Sequence, residues 1–121
     1  MENEEIKKTI LYYENSKQPM QILSYKKNFL HNLQEPAMVV FRKDGSIYYK
    51  FYFVEGYSIT EEEFNKLHFL FKNYLFQDIN DLIKEADEFK LRIIFRFAQF
   101  YDNEIVLNEI TKRLVIEKLS K

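Results

Sequence analysis

The chain has 121 residues, 46% of them hydrophobic and 17% aromatic, with 18 basic against 19 acidic side chains and a formal charge of −1. This length fits a single domain, and the balanced charge argues against both a strongly basic nucleic-acid binder and an acidic mimic of DNA. Cysteine is absent, which removes disulfides, thiol nucleophiles and thiolate zinc sites.

The acidic opening Met1-Glu2-Asn3-Glu4-Glu5 lacks the basic start and apolar run of a signal peptide. No segment approaches the ~20 apolar residues that cross a bilayer. A cytoplasmic location with no membrane partner is the expectation. Ile6, Ile10 and Tyr13 then stand at helical intervals, which predicts a helix over residues 3–14. Pro19 disfavours a helical residue before it, and a β region is expected over residues 20–57. Within it, Met20 to Tyr25 reads as extended, followed by a polar connection anchored by Phe29, Leu30 and Leu33.

The strongest local signal is a hairpin over residues 37–54. Ala37 to Arg42 and Ile47 to Val54 are rich in β-formers and flank Lys43-Asp44-Gly45-Ser46, and Asp-Gly between two such runs signals a tight primed turn. Alternation along the second run places Ile47, Tyr49, Phe51 and Phe53 on one face and Tyr48, Lys50, Tyr52 and Val54 on the other.

Thr60-Glu61-Glu62-Glu63 is a capping box that opens a helical region over residues 60–119. Its first helix buries Phe64, Leu67, Phe71 and Tyr74 or Leu75. The second, one long or kinked helix from near Asp78 or Asn80 to Tyr101, carries Leu82, Ile83, Ala86, Phe89, Ile93, Phe97 and Phe100 at helical spacing, with Leu91 to Phe100 as its most apolar part. Asp102-Asn103 breaks it, and Val106, Ile110 and Leu114 carry a third helix, a strand at 114–116 being the alternative. The predicted fold is one α+β domain over residues 1–121: an N-terminal helix, a small antiparallel sheet, then three C-terminal helices.

Residues 25–56 resemble a repeat that recurs in uncharacterised phage and large-DNA-virus proteins. Tyr25, Lys26, His31, Pro36, Ala37, Asp44, Gly45, Tyr52 and Gly56 sit where that pattern has them, whereas Asn32, Glu35 and Phe29 depart from it. The resemblance covers about a quarter of the chain, by counting matched positions rather than by a scored alignment, and implies an antiparallel hairpin and a scaffolding role rather than any chemistry.

No catalytic apparatus emerges. His31 and His68 lack a second ligand at metal spacing, the acidic clusters suit helix starts and solvated faces, and Gly45 and Gly56 alone make no phosphate-binding loop. The expectation is therefore a non-enzyme without metal or cofactor. Two binding features stand out. Arg42, Tyr48, Lys50 and Tyr52 interleave basic and aromatic groups on one predicted sheet face, a pattern that holds either a protein or a single strand of nucleic acid. The large tyrosine complement suits a protein interface. The leading expectation is a protein-binding domain, most concretely a phage- or mobile-element-encoded inhibitor of host defence of the anti-CRISPR kind, acting on a host defence complex, with a homodimer as the structural variant. A nucleic-acid-binding or regulatory protein is the alternative.

Overall fold

The computed structural model describes residues 6–119, and side chains through Leu114. Six strands come first: β1 (Lys7–Tyr12), β2 (Pro19–Lys26), β3 (Phe29–Leu30), β4 (Met38–Phe41), β5 (Ile47–Val54) and β6 (Tyr57–Ile59). Four helices follow: α1 (Glu61–Lys72), α2 (Phe76–Glu85), α3 (Glu88–Phe100) and α4 (Glu104–Leu119). Strands and helices are thus segregated along the chain, an α+β arrangement.

The N-terminal helix is overturned, since the segment expected to form it contains β1. Ile6 and Ile10 are four residues apart, a spacing that puts them on one face of a helix and equally on one face of a strand. Lys7 to Tyr12 pair antiparallel with β2 from Lys7↔Tyr25 to Tyr12↔Pro19, and Asn15 takes φ +57° in the connection. Ladder bonds to β2, across the turn that follows Tyr12, decide the matter, and periodicity over so short a window carries no trace of them. Helix 3–14 also extended over residues 3–5, which lie outside the described residues.

The strands form one antiparallel sheet in the order β1-β2-β4-β5-β6, with β3 paired to β2. β3 and β4 share a lane beside β2: β3 pairs with Tyr25 and Lys26, and β4 with Gln21, Ile22 and Leu23. The loop between them is held by His31, which is fully buried and accepts the Glu55 amide N–H on Nδ1 at 2.8 Å. Asn32 supports the same loop through Oδ1, which accepts from the amides of Gln34 and Glu35.

The predicted hairpin over 37–54 is β4 and β5, but its turn differs in type. The Gly45 amide donates to the Arg42 carbonyl and the Arg42 amide to the Ser46 carbonyl, and only Gly45 has positive φ, at +91°. The loop is therefore Lys43-Asp44-Gly45, a type I turn closed by a left-handed glycine rather than a two-residue primed turn. A primed turn does occur, at Glu55 (φ +48°) and Gly56 (φ +84°), joining β5 to β6.

The helical region has four helices, not three. The predicted long second helix is interrupted where Ala86 is extended (ψ 140°) and Asp87 caps α3 by accepting the Lys90 amide. An N-cap is the place where Asp competes best with helical continuation. The Thr60 cap forms, with the Glu63 amide donating to Thr60 Oγ1 at 3.1 Å, and the Glu63 side chain reaches back to accept that hydroxyl on Oε1. In α1 the buried stripe is Phe64, Leu67, Leu70 and Phe71. Tyr74 is exposed and ends the helix with φ +54°. α3 buries Leu91, Ile93, Ile94, Phe97 and Ala98, and α4 buries Val106 and Ile110.

The chain divides into two compact units, one running through the sheet to Phe64 and the other from Asn65 onward. The first has Leu23, Leu33, Ala37, Tyr52, Val54, Ile59 and Phe64 buried. The second is centred on Phe71, Ile79, Leu91, Ile94 and Phe97. Among the described residues no helix is long and apolar enough to cross a membrane.

Candidate binding site

Strand register fixes which side chains share a face. Two rows cross one face of the sheet, Thr9-Leu23-Met38-Phe51 and Leu11-Gln21-Val40-Tyr49. The opposite face carries the row Ile10-Ile22-Val39-Lys50 and, further along β5, the buried Tyr52 and Val54.

The four residues singled out in the sequence are therefore not one exposed patch. Tyr52 is only 7% exposed and packs on Phe64 with ring centroids 4.5 Å apart. Lys50 lies on its face and forms an ion pair with Glu61 at 3.3 Å. Tyr48 is 61% exposed. It is the extra residue of a β-bulge, because Val40 pairs with Tyr49 and Phe41 with Ile47, and bulges re-aim a side chain. Arg42 joins Tyr48 there, its guanidinium carbon 5.0 Å from the ring centroid. The structure brings Arg42 and Tyr48 together, and sends Lys50 and Tyr52 to a partly covered face.

The aromatic surface lies instead on the other face of β5. Tyr49 is 56% and Phe51 37% exposed. Their rings stack on each other at 4.8 Å and 16°, Phe53 continues the strip at 6.5 Å, and Tyr48 meets Tyr49 edge-on at 6.2 Å. Alternation in the sequence separates Tyr49 and Phe51 from Lys50 and Tyr52 correctly, but it misses the bulge at Tyr48 and cannot say which set is covered, since both carry aromatic rings. One more signal is legible in the sequence: residues 6–60 hold eight Lys and Arg against four Asp and Glu, an excess of four positive charges within a chain of net −1.

Elsewhere, His68 and Tyr101 meet with Nδ1 and Oη 2.5 Å apart, walled by Phe97 and Phe100. Burial raises the Tyr101 phenol above its usual 10, so at neutral pH the phenol keeps its proton and can donate it in a hydrogen bond to His68. This is a polar bond inside an aromatic cluster. Among the described residues no group of three or more His, Cys, Asp and Glu is placed to hold a metal ion.

Compared with protein-family models, with curated proteins and with solved structures, the chain matches none.

Proposed function

We propose that this chain is a non-enzymatic protein-binding domain that docks its partner on the sheet face carrying Tyr49 and Phe51. The ring geometry of that face carries the reading. Tyr49 and Phe51 cover one π-face of each other, with Phe53 beside Phe51 and Tyr48 edge-on to Tyr49, so the cluster offers edges and a hydrophobic ridge rather than a row of open ring faces. Single-strand binders need open ring faces on which successive bases stack. A ridge of half-exposed aromatics, with Val40 directly across from Tyr49 and Met38 across from Phe51, instead suits burial against a complementary protein surface, where Tyr and Phe act as anchors. The resemblance of residues 25–56 to a phage and large-DNA-virus repeat supports, as the most specific form of this reading, a mobile-element-encoded inhibitor of a host defence complex.

The test compares tagged wild-type chain with the Tyr49→Ser/Phe51→Ser variant in capture from the host that encodes it, with proteins and RNA both identified. The leading candidate is then purified and its affinity measured. A protein partner whose affinity drops at least tenfold in the variant, with little dependence on salt, is expected. RNA recovered by the wild type and released by salt would replace this reading, because phosphate contacts weaken as counterion concentration rises.

A further inference from the structure

We infer that the outer edge of β1 accepts an extended acidic segment of a partner protein as an added antiparallel strand. β1 ends the strand order, and no strand lies on its outer side among the described residues. All six of its residues, Lys7 to Tyr12, are exposed. An edge strand of this kind presents a row of backbone donors and acceptors that another chain can complete. The irregularity in its pairing falls on β2, where Leu11 faces Gln21 and Tyr12 faces Pro19, passing over Met20. β1 itself is therefore regular along its whole length.

Its side chains state what would fit. Lys7 and Lys8 crowd one end, while Ile10, Leu11 and Tyr12 fill the other, with Leu11 on one face and Ile10 and Tyr12 on the opposite one. Lysines on an edge repel like strands and guard against indiscriminate pairing, but opposite charges directly across a ladder stabilise it. Lys8 holds Glu35 in an ion pair and stays half exposed, so it accepts a second carboxylate. The positive excess over residues 6–60 adds a longer-range attraction for an acidic segment. Read from its own N-terminus, an antiparallel occupant therefore carries three apolar residues opposite Tyr12, Leu11 and Ile10, a neutral one opposite Thr9, and two acidic ones opposite Lys8 and Lys7. A second copy of the chain fits less well, because its own β1 brings two lysines and no carboxylate.

The inference rests on the protein-binding reading for its class of partner but uses a different surface. The probe is the blocked peptide Val-Ile-Val-Thr-Glu-Glu, titrated into the labelled full-length chain and followed by backbone amide shifts. Saturable shifts centred on residues 7–12 are expected, with affinity at least tenfold weaker for the Lys7→Glu/Lys8→Glu variant. That variant should in turn gain binding to the matching Val-Ile-Val-Thr-Lys-Lys peptide. Its fold is verified by unchanged shifts elsewhere, and Lys7→Gln/Lys8→Gln serves as the milder substitution, expected to weaken the glutamate peptide without gaining the lysine one. No saturation, shifts centred away from β1, or equal affinity for both peptides would overturn the proposal, as would a concentration-dependent dimer held by β1. Tyr49→Ser/Phe51→Ser should leave peptide binding intact, so failure at this edge and failure at the β5 face are told apart.

Discussion

Tyr49 and Tyr52 stand three residues apart on β5, one 56% exposed and the other 7%. Truncating a buried ring removes its transfer free energy and leaves a cavity. Tyr52→Ala should therefore cost about 3 kcal/mol in chemical denaturation, in the range seen for buried aromatics, whereas Tyr49→Ala should change stability by less than about 1 kcal/mol, as exposed positions do. Gly45 is a second residue with a single physical role. At φ +91°, and with an added Cβ placed 3.1 Å from Gln18 Oε1, it resists any side chain, and Gly45→Val should lower stability by about 1 kcal/mol or more. Within the same turn, Asp44 Oδ1 accepts the Ser46 hydroxyl at 2.6 Å and the Ser46 amide at 2.9 Å. These bonds, aided by the Arg42 charge, hold its carboxyl below the usual 3.8. A depressed folded value means that the charged form is favoured in the folded state. The turn's added stability is thus present above pH 3.8 and is lost as pH falls through the lower folded value. A carboxyl-carbon NMR titration should place the Asp44 midpoint below 3.8 in the wild type, and Ser46→Ala should move it upward.

Elements here begin and end where single polar residues satisfy backbone groups. Thr60 starts α1 and Asp87 starts α3, each accepting an amide three residues on. Replacing either with Ala should cost about 1 kcal/mol by denaturant midpoint, as N-cap losses do. Asp87 also explains why α2 and α3 are two helices. Hydrophobic spacing runs on through Ala86 and Phe89 as though nothing intervened, yet Phe89 is 56% exposed. The apolar periodicity survives a break that reorients the element. β1 shows the converse case, since its alternation is weak and its existence depends on β2. A hairpin that supplies its own turn chemistry, such as β4 and β5, can be read locally, but a strand whose partner alone defines it cannot.

At the scale of the molecule, charge is unevenly spread along a chain that is nearly neutral overall. The positive excess lies within residues 6–60, among the strands. Ionic strength should accordingly separate the two proposed surfaces. Raising salt from about 50 to about 500 mM should weaken glutamate-peptide binding at β1 severalfold, because exposed charges are screened over a Debye length of about 10 Å or less above 0.1 M. Partner capture through the Tyr49 and Phe51 ridge should move far less, as apolar burial does not depend on charge. The sequence by itself determined the β4–β5 hairpin, the Thr60 cap and the helical character of the described residues that follow it, because each is set by residues within a few positions of one another. It also separated Tyr49 and Phe51 from Lys50 and Tyr52 by simple alternation. Only the tertiary structure decided that the first segment is a strand, that Ala86-Asp87 is a break, and which face of β5 is covered. Those outcomes depend on which backbone supplies a ladder and which side chains exclude water, and hydrophobic periodicity alone encodes neither.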